Sequence, residues 1–200
     1  MSACKVAILI DGGFFVKRFK RLNNKMPARM DVENLITGIM DHLKAKIAGC
    51  TNDTLLRSFY YDCEPFSKTL KNLNGVSIDY SKSMVYQKQM AYLNSLKTID
   101  QFALRLGQLS FAGWKLIPFK MNSTKPIPDF RQKGVDMKVG LDMAWMAHRK
   151  TVDKIVLVTG DSDFISPIKL VRREGILVYL YRMDSTILKM ELIEHADVVI

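Results

Sequence analysis

Cysteine is scarce in this chain of 200 residues: only Cys4, Cys50 and Cys63, far apart and without a C-x-x-C pair. A disulfide framework is therefore excluded, and reduced thiols in a cytoplasmic protein are expected. Histidine is equally sparse, with only His42, His148 and His195, so a structural zinc site is not expected either. Long hydrophobic runs are missing. The first, Val6 to Ile10, has five residues and stops at Asp11. A secretory apolar region takes ~7–15 residues and a membrane-spanning helix ~20, so neither is expected.

Familiar signatures are absent as well. No G-x-G-x-x-G follows the first apolar run and no G-x-x-x-x-G-K-[ST] occurs anywhere, which removes the usual dinucleotide-dependent oxidoreductase and P-loop NTPase. There is no G-x-S-x-G elbow. Cys63 has no histidine at a recognisable catalytic spacing and reads as a buried structural thiol.

What is abundant is positive charge. Lys and Arg number 30 against 20 Asp and Glu, a formal net charge of +10, which suits an acidic macromolecular partner such as nucleic acid. Apolar residues make up 48% and charged residues 25%, close to the average globular chain. That balance excludes a disordered basic tail and a low-complexity chain. The length suits a single domain over residues 1–200.

Lys5–Ile10, Lys154–Thr159 and Ile176–Tyr181 are short, β-branched, nearly continuous apolar runs, as parallel strands covered on both faces are. Leu56–Tyr61, Trp114–Phe119 and Ala196–Ile200 are weaker strand candidates. Helical patterns alternate with them. Asp31 is placed to N-cap a helix whose stripe is Val32, Leu35, Ile36, Ile39, Met40, Leu43 and Ile47, with Gly49 as its stop. Val135–Arg149, Phe164–Glu174 and the long Met84–Leu106 also read as helices. The proline-containing stretch Asn122–Gly134 reads as a loop delivering the next helix. Strand–helix alternation implies an α/β fold with a mostly parallel, doubly wound central sheet and helices on both faces.

The position of the acids is the informative feature. Asp11 follows the first strand, and Asp161 and Asp163 follow the second strong one in Thr159-Gly160-Asp161-Ser162-Asp163. Ligands of open α/β sheets bind beyond the carboxyl ends of the strands. Carboxylates gathered there repel one another unless a cation lies between them, and all-oxygen ligands favour Mg²⁺ or Mn²⁺. Asp136, in the first turn of the Val135–Arg149 helix, is placed to join them. Asp142, almost two turns deeper, reads as a supporting acid. Each acid also has an ordinary reading: Asp11-Gly12 as a turn, Asp163 as the cap of the helix beginning at Phe164, Asp136 as a charge favouring a helix dipole.

Basic residues flank these acids. Lys17-Arg18-Phe19-Lys20-Arg21 begins six residues after Asp11, with Lys25 and Arg29 beyond, and Arg131, Lys133 and Lys138 surround Asp136. Such groups hold phosphates without reading sequence. Phe14, Phe15 and Phe19 are candidates for base stacking, although core packing is the commoner fate of aromatics at this spacing. Arg172 and Arg173 read as dipole complementation at a helix end.

Taken together, Ile8-Leu9-Ile10-Asp11-Gly12-Gly13-Phe14-Phe15, Lys133-Gly134-Val135-Asp136 and Leu157-Val158-Thr159-Gly160-Asp161-Ser162-Asp163-Phe164, followed by Gly175-Ile176-Leu177-Val178, resemble the NYN domain. This is a branch of the PIN-like nuclease superfamily, and the likeness is strongest to its LabA-like members. The resemblance implies a three-layer α/β/α PIN-like, Rossmann-like fold and a metal-dependent ribonuclease site. In it Asp11, Asp136, Asp161 and Asp163 correspond to the acids that hold Mg²⁺ or Mn²⁺, with Lys133, Ser162, Lys17 and Arg18 as candidate substrate contacts. Many relatives have Asn soon after the first Asp-Gly, whereas Gly13-Phe14 follow here. The segment around 63–113, with its long helix, falls outside the strong motifs and is expected as a helical insertion.

The leading expectation is a Mg²⁺- or Mn²⁺-dependent endoribonuclease, its partner RNA, with single strands and a homo-oligomer among the options and no membrane. The alternative is a catalytically silent RNA-binding or scaffold protein that retains the site. An aspartyl-phosphate phosphatase is disfavoured because Gly13 stands where its second Asp belongs.

Overall fold

Alternate residues of the first strand decide the layering. In β1 (Lys5–Asp11), Val6, Ile8 and Ile10 are buried on one face while Ala7 and Leu9 are buried on the other. A strand whose two faces are both apolar must be covered twice, as its unbroken apolar run anticipates. The computed structural model describes residues 3–46, 51–119, 123–183 and 188–200. After β1 come α1 (Gly12–Asn23), α2 (Arg29–Lys46), β2 (Thr54–Glu64), a small hairpin of β3 (Thr69–Lys71) and β4 (Ser77–Asp79), and α3 (Met84–Leu96). The chain continues through β5 (Phe102–Phe119), β6 (Ser123–Lys133), α4 (Val135–Arg149), β7 (Lys154–Val158), α5 (Ile165–Arg173), β8 (Leu177–Leu180), α6 (Met190–His195) and β9 (Val198–Val199).

The main sheet has seven strands in the order β6-β5-β2-β1-β7-β8-β9. Every neighbouring pair is parallel except β5 with β6. Phe15 of α1, the α2 stripe and Leu96 of α3 cover one face with Val6, Ile8 and Ile10. Helices α4, α5 and α6 cover the other through Val139, Met143, Ile168, Val171 and Leu192. This is the three-layer, mostly parallel α/β architecture of PIN-like folds. The chain leaves β1 towards β2 on one side and returns through β7 on the other, so the β1/β7 seam is the topological switch point of the sheet.

The strong apolar runs became strands within a residue or two of their expected limits, and α4 spans Val135–Arg149 as its stripe predicts, with Val135, Val139, Met143 and Met146 all buried. Other expectations are corrected. The helix expected over Met84–Leu106 ends at Leu96, and Gln101 takes a positive φ of 50° before β5 begins at Phe102. Phe102-Ala103-Leu104-Arg105-Leu106 is helix-compatible in composition. Parallel pairing with Ser58–Asp62 overrides that propensity, burying Phe102 and Leu104 towards one layer and Ala103 towards the other. Residues 123–133, expected as loop, form β6 antiparallel to β5. Pro126 and Pro128 are tolerated because β6 is the edge of the sheet, where a missing N–H breaks no interior ladder.

Helix α2 starts at Arg29, two residues before Asp31. Asp31 therefore sits inside the first turn and its carboxylate accepts from the Ala28 N–H (2.7 Å), the reaching-back half of a capping box. Ile47, Gly49, Cys50 and Asn122 lie outside the described residues. Among the described residues, no helix is long and apolar enough to cross a membrane.

Candidate metal centre and nucleic-acid interface

Asp11 stands at the end of β1 and caps α1. Its Oδ1 accepts from the Phe14 N–H (3.0 Å) and its Oδ2 from the Thr159 hydroxyl (3.1 Å). Thr159 ends the neighbouring β7, and its Oγ1 accepts in turn from the Asp161 N–H (3.2 Å). One buried hydroxyl thus fastens the first acid to the loop that carries the second. Asp161 Oδ1 accepts from the Asp163 N–H (3.1 Å), capping the short 3₁₀ turn Ser162–Phe164 that leads into α5. The capping role expected of Asp163 therefore belongs to Asp161, leaving Asp163 on the exposed side of the turn.

Asp136 arrives from the opposite layer. Gly134 adopts φ 79° as the residue before α4, a left-handed conformation that favours glycine, and this turn delivers Asp136 in the helix's first turn. Electrostatics place the acids within reach of one another. Burial, followed by the charges of Asp161 and Asp136, raises Asp11 above the usual carboxylate range against two opposing hydrogen bonds. Partial burial and the charges of Asp161 and Asp163 raise Asp136 in the same way. Among the described residues, no lysine or arginine forms an ion pair with any of the four.

Chemically the four acids suit a hard divalent cation: all oxygen donors, like charges, and no ion-paired lysine or arginine among the described residues. They are not gathered into a finished cage. Among the described residues, no group of three or more His, Cys, Asp or Glu side chains is assembled to hold a metal ion. Two of the four carboxylates, those of Asp11 and Asp161, are engaged in capping bonds that a cation would have to share or replace.

Close backbone approach explains the glycines around these acids. A Cβ on Gly12 would lie 2.6 Å from the Tyr60 ring and 2.7 Å from the Tyr61 carbonyl, and one on Gly160 would lie 2.7 Å from the Phe14 ring. Phe14 is thus wedged over the acidic loop, and the Arg18 guanidinium lies 5.5 Å from its ring centroid. Arg18 is carried to the acidic side, while Lys17 faces a separate pocket between α1 and α3. Lys133 ends β6 exposed, just before Gly134.

Several residues that the sequence singles out for no role join the site. Thr159 is one. Lys189 is another: its Nζ donates to the Ser162 hydroxyl (2.9 Å) and brings a cation to the rim of the acidic loop. Gln132 places its amide 3.8 Å from the site where Gly13 would carry a Cβ, so a polar group borders the position that the Gly13-Phe14 departure left bare. Asp62, at the end of β2, is 8% exposed, and burial pushes it up to about 6. None of these carries a spacing signal; strand order alone brings them to one edge.

Other candidates are absorbed by structure. Asp142 accepts from Tyr61 (3.0 Å) and pairs with Arg105 (2.9 Å), away from the four acids. Lys25 pairs with Asp31, Arg29 with Glu33, and Arg131 with Asp129. Arg172 binds Asp197 and the His195 carbonyl, tying α5 to the entry of β9. Phe15 is a core residue, 1% exposed. Cys63 is buried, and its thiol is pushed up to about 11 mainly by that burial, so it is no nucleophile at neutral pH.

Comparison with known proteins agrees with this architecture. A solved structure of a protein of unknown function from Vibrio parahaemolyticus superposes with a TM-score of 0.53 at 17% identity, covering 99% of this chain and 92% of that one. At that identity the likeness speaks for the fold alone. No curated protein matches the chain. The family model of the NYN domain matches residues 5–200, from the first residue of β1 to the last residue beyond β9. With that match added to the sheet order and the acids at its switch point, the chain belongs to the NYN domain family, whose members are in general nucleases.

Proposed function

We propose that this protein is a Mg²⁺- or Mn²⁺-dependent endoribonuclease that hydrolyses RNA phosphodiester bonds over Asp11, Asp136, Asp161 and Asp163. What supports this reading is the pairwise charge repulsion that links Asp11, Asp136, Asp161 and Asp163 near the ends of β1 and β7, with no ion-pair partner among the described residues. PIN-like and NYN nucleases usually work with divalent metals, and these four carboxylates are the groups that would hold one here. Such an ion, when bound, lowers the pKa of water and offsets charge on the phosphate.

The chain's own residues do the rest. Thr159 holds Asp11 and the 159–163 loop in register. Arg18 and Lys189 lie at the rim of an acidic centre, where a phosphate would otherwise be repelled. Lys133, Ser162 and Lys17 are further contacts for the RNA backbone. The surplus of positive charge over the whole chain draws a polyanion without selecting its sequence.

A second reading has its own observation. Asp11 and Asp161 both serve as helix or turn caps, so the acids would remain useful in a silent RNA-binding protein. The test is incubation of the protein with mixed RNA and DNA substrates in Mn²⁺, in Mg²⁺ and in EDTA. RNA cleavage that appears with the ion and vanishes in EDTA supports the nuclease. RNA binding of equal strength in EDTA, without product in either metal, supports the silent binder.

A further inference from the structure

A cavity of about 530 Å³ opens on the side of the sheet edge opposite the four acids. Its volume lies within the ~300–1,000 Å³ of small-molecule sites. The wall is formed by Val16, Lys17 and Lys20 of α1 and by Val85, Lys88 and Tyr92 of α3, with Met26 and Pro27 closing one end. Asp62 and the backbone of Gly12 and Gly13 also line it. Those two glycines follow Asp11 directly, and Asp62 follows Tyr61, which pairs with Asp11 across β1 and β2. Strand alternation places Asp62 on the Tyr60 side and Asp11 on the Tyr61 side. The pocket and the acidic centre are therefore back to back across one turn of chain.

The polar equipment of the pocket is specific. Asp62 Oδ1 accepts from the Cys63 N–H (2.7 Å), and its second oxygen has no hydrogen-bond partner among the described residues. Beside it, Gln89 Nε2 donates to the Cys63 carbonyl (3.4 Å), leaving the amide oxygen as a second acceptor. Lys17, Lys20 and Lys88 line the same cavity, and among the described residues none of the three forms an ion pair. Apolar walls, two adjacent acceptors and cations together match an aromatic ring that offers adjacent donors and carries a phosphate.

We infer that this cavity binds a guanine nucleotide of the RNA strand, with Asp62 and Gln89 accepting from the base and the lysines meeting its phosphates. Of the four RNA bases, guanine alone presents a ring N–H next to an amino group on its pairing edge. Uracil sets its N–H between two carbonyls, while cytosine and adenine set their amino group beside a ring acceptor that a carboxylate would repel. The inference rests on the nuclease reading in so far as the bound base belongs to the strand being cut, and it makes cleavage base-selective.

Calorimetric titration of the full chain in EDTA near pH ~7.5, where a carboxyl of pKa about 6 is mostly ionised, isolates the pocket from metal and chemistry. Guanosine 5′-monophosphate should bind about tenfold or more tightly than the uridine, cytidine and adenosine monophosphates. Asp62→Asn should erase that preference. Val85 is 72% exposed, so Val85→Trp fills the mouth without touching the core and should lower affinity for all four. Melting curves verify that both variants are folded, and Val85→Trp carries the test if Asp62→Asn is not. Equal binding of the four nucleotides by the wild type, or unchanged guanosine binding in both variants, overturns the inference. Metal-dependent RNA cleavage without guanosine binding removes the pocket and keeps the nuclease. Guanosine binding without cleavage in Mn²⁺ keeps the pocket as a nucleotide site and removes the nuclease.

Discussion

The two edges of one sheet treat their acids in opposite ways. At the amino edge, Asp53 and Lys154 form a buried pair at 2.8 Å, 2% and 5% exposed, and Asp153 accepts from the Lys5 N–H at 2.7 Å. Both of these carboxylates have a donor, and their charge serves to fasten strands. At the carboxyl edge, Asp11, Asp136, Asp161 and Asp163 have hydroxyl or backbone donors at most, and Asp11 and Asp136 are raised first by burial and then by their neighbours' charge. Asp53 is neutralised by a lysine of the chain, whereas among the described residues none of the four acids at the carboxyl edge has such a partner. Strained or uncompensated groups collect where ligands bind, and the rest of the fold offsets their cost.

The largest effect expected from breaking this contrast is at the carboxyl edge. Asp136→Asn should lower RNA cleavage at saturating Mn²⁺ by about a hundredfold or more, as loss of a well-placed charge group does. The melting temperature without metal should stay level or rise, because Asp136 is partly desolvated and has like charges as neighbours. At the amino edge the pattern reverses. Asp53→Ala removes the carboxylate that buried Lys154 faces and should cost about 3 kcal/mol in urea unfolding, with cleavage per folded molecule unchanged.

A smaller effect sharpens the contrast through pH. Asp62 is raised from an ordinary 3.8 to about 6, chiefly by burial and in lesser part by Asp11, with the Cys63 N–H opposing. Tyr60, Tyr92 and the pocket lysines 17, 20 and 88 are the other titratable groups near it. The folded form therefore keeps a proton that the unfolded chain has lost between those values. Stability falls as pH rises from about 4 to about 6, and the penalty is complete above. Asp62→Asn should then raise stability at neutral pH by about 1–2 kcal/mol and lose that advantage near pH ~4, read from melting curves across pH. The smallest effect is Thr159→Val, which removes the bridge between Asp11 and the acidic loop. It should cost about 1 kcal/mol of stability, and its cleavage loss should be smaller than that of Asp136→Asn.

How much of this was written in the sequence follows from the range of the interactions involved. The buried strands β1, β7 and β8 and helix α4 were legible because their apolar spacing reports directly on one or two covered faces. The acids at the strand ends were legible because strand ends are local features. Residues 97–106 and 123–133 were misread because nothing local distinguishes them: a parallel partner makes Phe102–Leu106 a strand, and an edge position excuses Pro126 and Pro128. Thr159, Lys189, Gln132 and Asp62 were invisible for the same reason. Their partners lie on other elements, as when Thr159 reaches Asp11 across 148 residues of sequence. The likeness of Asp161 and Asp163 as caps shows the limit of local reasoning too, since the turn begins two residues earlier than the apolar pattern implies.

Titration of Mn²⁺ into the full chain without RNA tests whether the carboxyl edge is a divalent-cation site. The wild type should bind the ion saturably and melt at a higher temperature with it, Asp161→Asn should lose both, and Asp53→Asn should bind as the wild type does. Equal Mn²⁺ binding by the wild type and Asp161→Asn, or none by the wild type, would contradict that assignment.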